Sequence, residues 1–366
     1  DATGNQIGGT GANEGNVIGG APVGFNGITI RYNSDNNIVE GNIIGLLADG
    51  TTAAANVGHG IYVDYSSDGN RIGGTTAGAG NVISGNVGDG VSINGSTDAT
   101  YTTVVTGTLV QGNYIGTDAA GSADLGNTAS GIYIASAAAT TIDGNLISGN
   151  DLYGIQILGA TADSTVITGN LIGLTSAGNA NLVNTDDAIY LSSAGTATIG
   201  GAGAGEGNVI GAAFGKTGID IYNSAGVTIE GNFIGTDVAG TSSLSGGSFG
   251  INVWGSANTQ IGGTTAAAAN IVAGYAVTGI NISDAGSAGT QIHGNFIGTD
   301  VSGTVAMTSG IYGITLQNSA TGVLVGGAAA GAGNTIAYNG QDGVILEAVT
   351  LNGNSIVGNQ IYANGS

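Results

Sequence analysis

An asparagine returns along this chain at almost fixed intervals. Inside a Gly-Asn-apolar or Ala-Asn-apolar motif it stands at Asn16, Asn81, Asn145, Asn208 and Asn270, and Gly333-Asn334-Thr335 closes the series. Successive members lie roughly 63 residues apart, a spacing typical of repeat architectures. A second series, Asn42, Asn113, Asn170, Asn232, Asn295 and Asn359, interleaves at the same average spacing, with one long step before Asn113 and one short step after it. A period this long means one supersecondary unit stacked on copies of itself, because a single unit cannot bury its apolar face alone. The 366 residues therefore read as one domain, 1–366, of about six repeats of roughly 63 residues.

Between the asparagines lies a short pattern, Gly-apolar-x-apolar. It reads Gly27-Ile28-Thr29-Ile30, Gly60-Ile61-Tyr62-Val63, Gly90-Val91-Ser92-Ile93 and Gly131-Ile132-Tyr133-Ile134, and its first apolar position recurs at Ile155, Ile189, Ile219, Ile251, Ile280, Ile314 and Val344. Strict alternation of apolar and polar residues marks a strand with one buried face. Gly, Asn, Ser and Thr fill the gaps, and no stretch carries capped 3.6-residue periodicity, so almost no helix is expected. From Asn208 the chain passes three such strands, at Val209, Ile219 and Val227, before starting again at Asn232. The next round, through Ile251 and Ile261 to Asn270, is longer. Three short strands per round with inward aliphatics describe the coil of a parallel β-helix, compact and long coils alternating. About twelve coils rising ~4.8 Å each make a rod of roughly 55–60 Å. The predicted inward residues include Ile28, Ile30, Ile132, Ile134, Ile219, Ile221, Ile251, Val253, Ile280 and Ile282.

The corners agree. Gly adopts positive φ freely and Asn is the next most tolerant residue. Asparagines repeated at one corner can also stack their amides along the axis. Long coils carry their extra residues in loops such as Ile234-Gly235-Thr236-Asp237 and Ile72-Gly73-Gly74-Thr75-Thr76.

These motifs carry a resemblance. Gly231-Asn232-Phe233-Ile234-Gly235-Thr236-Asp237 and Gly144-Asn145-Leu146-Ile147-Ser148-Gly149-Asn150 resemble the repeats of the right-handed parallel β-helix superfamily, the pectate-lyase-like group. They are nearest to the repeat arrays of large secreted bacterial surface proteins and adhesins. The resemblance covers essentially the whole chain and implies an all-β, single right-handed solenoid. It implies little about activity, because such motifs encode corners and core.

Charge narrows the partners. Twenty-four acids stand against three Lys and Arg, giving a net charge of −21. That argues against nucleic acid, whose phosphates need a basic face. It argues equally against anionic membrane surfaces and tight capture of acidic polysaccharides. No apolar run approaches the length of a membrane span. With no cysteine, disulfides, thiolate chemistry and cysteine metal sites are excluded.

Two fragments point to catalysis. Gly58-His59-Gly60 and Asn184-Thr185-Asp186-Asp187 resemble pieces of the polygalacturonase signature, in which paired aspartates act with a histidine. Paired carboxylates suit an acid–base pair. Here, however, Asp186 and Asp187 fall four coils beyond His59, roughly 19 Å along the axis, and in reversed order. A polysaccharide lyase reading asks for a basic residue beside an acidic cluster, whereas Arg31, Arg71 and Lys216 look scattered. His293 points outward by alternation, with no second histidine near it. Tyr62, Tyr133, Tyr190 and Tyr222 read as outward at the middle strand position, where strand propensity explains them as well as sugar stacking does.

The remaining candidates are acidic loops. Asp118, Asp237 and Asp300 each lie five residues after Asn113, Asn232 and Asn295, and oxygen-rich loops of this kind suit calcium. An Asx-turn at the loop start explains them too. The expected function is a non-catalytic structural or adhesive β-helix: an extracellular or cell-surface fibre, sheath or spacer subunit, not an enzyme. Its ends carry little charge, since only Asp1 and Glu14 are charged ahead of Arg31 and nothing beyond Glu347 is charged. End-to-end pairing with copies of itself or further repeats is therefore expected, with surface glycans as further partners. The alternative is a carbohydrate-active enzyme, of polysaccharide lyase or glycosidase type, or a carbohydrate-binding module using an outer face.

Overall fold

In the computed structural model the chain divides into two compact units, Asp1–Ala177 with Leu182–Asp186, and Gly178–Asn181 with Asp187–Ser366. The structure describes residues 2–95, 97–98, 101–244, 246–307, 309–347 and 351–365. In each unit the chain visits three parallel sheets in turn. The first sheet holds six strands in the first unit, from Gln6–Gly8 to Thr165–Thr168, and six in the second, from Ala197–Gly200 to Ser355–Val357. Sheet two again holds six in each, from Val17–Ile18 to Leu171–Ile172 and from Val209–Ile210 to Gln360–Tyr362. The third sheet has five strands in the first unit and six in the second. All eleven start at, or two residues before, the apolar positions read from the sequence, Ile28 to Val344. Six coils in each unit give the twelve expected. Among the described residues helix is confined to two 3₁₀ turns, Ala266–Ala268 and Ala285–Ser287.

Alternation decides which side chains enter the core. In the third sheet Ile61 pairs with Val91 and Val63 with Ile93, and all four are fully buried. Every one of the ten residues predicted to point inward is buried. Burying an aliphatic side chain of this size contributes about 1.5–3 kcal/mol, repeated at each coil.

The asparagines hold the corners between the first and second sheets. In the first unit the amide Nδ2 of Asn16 donates to Asn42 Oδ1, Asn42 to Asn81, Asn81 to Asn113, Asn113 to Asn145 and Asn145 to Asn170, at 2.9–3.0 Å. The second unit repeats this from Asn208 through Asn232, Asn270, Asn295 and Asn334 to Asn359. Glycine is required beside the corner: Gly73 has φ of 85°, and a Cβ there would sit 2.0 Å from the Gln111 carbonyl oxygen. A further ladder, Asn56, Asn86, Asn127, Asn150 and Asn184, runs five residues ahead of the inward aliphatics of the third sheet. In the second unit Tyr275 takes that register and is 2% exposed; burial pushes its phenol up.

Candidate active site

The site grows from the outer face of the third sheet in the first unit. Outward positions of the Ile28–Ile30, Ile61–Asp64, Val91–Asn94 and Ile132–Ala135 strands line up by register, Thr29 with Tyr62, Tyr62 with Ser92, and Ser92 with Tyr133. Ser92 is small and buried, so two aromatic rings flank a slot two strand spacings wide, about 10 Å. Immediately after the first of these strands comes Arg31, opposite Asp64 of the next coil. Its Nη2 lies 3.3 Å from Asp64 Oδ2. The guanidinium sits 4.5 Å from the Tyr32 ring centroid and 5.2 Å from that of Tyr65, an arrangement that orients the cation and holds it partly dry.

His59 enters two residues ahead of the Ile61–Asp64 strand and stacks on Tyr62, with ring centroids 5.4 Å apart. Its Nδ1 faces both Oδ2 of Asp89, at 3.1 Å, and the Asp89 backbone N–H, at 3.0 Å. With a proton on Nδ1 the ring donates to the carboxylate and Nε2 presents a lone pair. Without it, Nδ1 accepts the backbone N–H and Nε2 carries the proton. The backbone N–H serves the Nε2–H tautomer and the Asp89 carboxylate the Nδ1–H tautomer, in which that N–H gives up its acceptor, so Nδ1 has a partner in either state. Asp89 is itself fixed, accepting the Ser130 N–H at 3.0 Å on Oδ1.

The electrostatics separate these groups. Burial pushes the Asp64 carboxyl up to about 6, with Arg31 and the Tyr62 hydroxyl pulling back. Asp64 is 1% exposed and its Oδ1 has no hydrogen-bond partner among the described residues, so little besides Arg31 offsets the cost of burying its charge. Burial and the Asp64 charge raise the Tyr62 phenol, and burial with Asp89 raises Tyr133. Both phenols keep their protons at neutral pH. Tyr62 joins the two ends of the cluster, with its ring on His59 and its phenol in the fields of Asp64 and Arg31. The cluster thus combines a fixed cation, a two-tautomer histidine and a protonated phenol. Beyond the Val91–Asn94 strand the chain forms a small antiparallel hairpin, Thr97–Asp98 with Tyr101–Thr102.

Sequence reasoning singled out His59, set Asp186 and Asp187 aside as too distant, and named no other partner for it. The Asp186 N–H donates to Leu152 O, beside the Ile155–Leu158 strand, which is three strands along from Ile61–Asp64. The carboxylate beside His59 is Asp89, which shares the position two residues ahead of a third-sheet strand; comparing that position in neighbouring coils would have revealed the pair. The arginines stand on different sheets, each beside an acid: Arg31, after a third-sheet strand, pairs with Asp64, and Arg71, in the first-sheet strand Arg71–Gly73, places Nη2 2.8 Å from Glu40 Oε2. Tyr222 lies at a strand end, paired with Ser192 and Trp254, and Asp220 holds the middle position. His293 is half-buried, which lowers its pKa.

The three acidic loops have a local role. Asp118 Oδ1 accepts the Ser122 and Ala123 N–H groups at 2.7 and 3.0 Å. Asp237 Oδ1 accepts those of Thr241 and Ser242, and Asp300 Oδ1 those of Thr304 and Val305. For Asp118 and Asp300 burial alone would raise the pKa, but these hydrogen bonds outweigh it and lower both. Among the described residues no three His, Cys, Asp or Glu side chains converge as a metal site.

No family model matches the chain, and no curated protein sequence matches it. Solved structures do. The periplasmic alginate epimerase AlgG matches with a TM-score of 0.52 at 14% identity, over 88% of this chain and 70% of that one. Tailspike protein 3 of bacteriophage CBA120 matches with a TM-score of 0.51 at 12% identity, over 98% of this chain and 53% of its own length. This chain is a right-handed parallel β-helix protein. The expectation of a non-catalytic structural or adhesive part is overturned at the same point. One solved protein with this fold is an epimerase, so a repetitive β-helix does not imply inertness. Arg31 and His59, read from the sequence as lacking a nearby carboxylate, each face one, Asp64 and Asp89. Among the described residues no helix is long and apolar enough to cross a membrane.

Proposed function

We propose that this chain is a carbohydrate-active enzyme that removes the proton beside the carboxylate of a uronate residue in a polysaccharide. The observation that carries the reading is the gathering of Arg31, His59, Asp64 and Asp89 around Tyr62 from adjacent coils. Such a proton is weakly acidic, and its removal needs the neighbouring carboxylate neutralised and a base at hydrogen-bond distance. Arg31 neutralises the carboxylate through its planar fork. His59 Nε2 takes the proton while Nδ1–H is held by Asp89. The Tyr62 phenol supplies a proton, either to the opposite face of the same carbon, which inverts it, or to the glycosidic oxygen expelled from the next carbon, which cleaves the chain.

A two-carboxylate glycosidase mechanism has less support, because it needs two carboxyls that both face the scissile bond. Both oxygens of Asp89 are engaged, Oδ1 by the Ser130 N–H and Oδ2 by His59. Asp64 faces Arg31 and is buried. AlgG, of the same fold, is an alginate epimerase, so the scaffold accommodates chemistry on a polysaccharide. An extracellular or cell-surface setting, where polysaccharides are met, accords with the reading.

The test is proton exchange. The chain is incubated with alginate, polygalacturonate and glucuronate-containing polymers in deuterated water, and deuterium at the carbon next to the carboxylate is followed by NMR. Incorporation into one polymer, lost in His59→Ala and Tyr62→Phe, is expected. Absence, in every polymer, of both deuterium at that carbon and a cleaved product with a new carbon–carbon double bond would remove the proposal.

A further inference from the structure

The outer face of the third sheet in the second unit has a different chemistry. Its central strands are Thr217–Tyr222, Phe249–Trp254, Thr278–Ser283 and Tyr312–Gln317. Tyr222 pairs with Trp254 in register, and the two rings stack with centroids 6.4 Å apart at 27°. Both remain open to solvent, at 41% and 38%. Side-chain amides form a chain across the strands, through Asp220, Asn252 and Asn281 one row inward and Gln317 in the row of the two rings. Asn252 Nδ2 donates to Asp220 Oδ1 at 2.8 Å, Asn281 Nδ2 to Asn252 Oδ1 at 2.7 Å, and Gln317 Nε2 to Asn281 Oδ1 at 3.0 Å.

An amide has two N–H donors and two acceptor lone pairs. In this chain each uses one N–H on its neighbour. Asn281 is buried and locks the row, while Asn252 and Gln317 are only half-buried. These two keep an N–H to offer outward, in fixed orientation, beside a broad aromatic platform. The platform shields the apolar C–H face of a sugar ring, and the amides meet its hydroxyls. Asp220 is the only charged residue in the four strands, so they hold no cation to receive a carboxylate.

We infer that this face binds a neutral glycan chain, with sugar rings on Tyr222 and Trp254 and hydroxyls on Asn252 and Gln317. The inference does not depend on the uronate chemistry of the first unit.

Trp254 is the one tryptophan in the sequence, so its fluorescence reports on this face alone. The whole chain is titrated with cellohexaose, mannohexaose, xylohexaose and maltohexaose. One of them is expected to change the emission saturably. Tyr222→Ala should weaken that binding about five- to tenfold, the worth of one aromatic contact. Asn252→Ala, which keeps both rings and the reporter, should weaken it several-fold, and calorimetry on Trp254→Ala should detect no binding. Tyr62→Phe should bind as tightly as wild type, which separates this inference from the proposed activity. No emission change with any neutral hexasaccharide overturns the inference. So does a change produced only by polyuronates, or binding that survives in both Trp254→Ala and Asn252→Ala.

Discussion

The outward rows of the third sheet in the two units rest on the same inward aliphatics yet differ in almost every functional respect. In the first unit Arg31, His59, Asp64 and Asp89 form paired charges around Tyr62. In the second unit the row is an amide chain beside Tyr222 and Trp254. The core positions of both, such as Ile61 and Ile219, are fully buried. The difference teaches that a β-helix separates fold from chemistry by position: inward and corner residues specify the coil, and outward residues are free to carry charge, stack or hydrogen-bond. Charged pairs shift pKa values and move protons; neutral amides with rings fix and hold.

The sharpest way to break this contrast is to exchange what each face does. His59→Ala should lower turnover of the polyuronate by about 10²–10⁴-fold, the usual worth of a general base, while Trp254→Ala should leave the rate at saturating substrate intact. If Trp254→Ala matched His59→Ala, the two faces would share one function. A corner change should act through folding instead. Asn113 is fully buried, accepts from Asn81 and donates to Ile72 O and Asn145. Asn113→Ala should therefore cost about 2–3 kcal/mol, read by denaturant unfolding.

Salt divides the faces more gently. The net charge of −21 repels a polyuronate over a Debye length of about 30 Å at 0.01 M and 8 Å at 0.15 M ionic strength. Raising salt across that range should increase kcat/KM several-fold, with neutral glycan binding unchanged. The smallest effect is in pH. As pH falls through about 6, Asp64 is neutralised and Arg31 is released to the substrate carboxylate, so KM should fall a few-fold, and Asp64→Asn should flatten that response. A raised carboxyl favours the folded state while protonated and loses that contribution as pH rises through its folded value. The melting temperature of wild type relative to Asp64→Asn should accordingly decline from pH 4 to pH 7.

Fold was legible because it repeats. Eleven third-sheet strands, the inward residues and both first-corner asparagine series could be placed by counting, since one period is written six times over. The site was not legible that way, because it occurs once. His59 and Asp89 stand nearly a whole coil apart along the chain and meet only through the coil pitch, and Arg31 reaches Asp64 in the same manner. Reading each outward position down successive coils, instead of along the chain, would have aligned Arg31 with Asp64 and His59 with Asp89. Tyr275 illustrates the other limit: it fills an asparagine position of the corner ladder, and its burial follows from the glycines around it, Gly218 and Gly250. The acidic loops follow a purely local rule, since Asp118 and Asp300 each give Oδ1 to backbone N–H groups of their own loop.

The asparagine ladders also have a sense of direction. In each recorded step the amide N–H points toward the later coil and the oxygen toward the earlier one, from Asn16 to Asn170 and from Asn208 to Asn359. The amide dipoles therefore add, and each bond polarises the next, by roughly 10–30% per link. A ladder built this way is an electrically polar object, with a fractional negative pole at its first coil and a fractional positive pole at its last, the reverse of the sense in an α-helix. A coil placed ahead of the first rung must bring donors, and one placed after the last must bring acceptors. Growth or repair of such a stack by whole repeats is vectorial, and a repeat inserted backwards would meet N–H with N–H at one junction and oxygen with oxygen at the other.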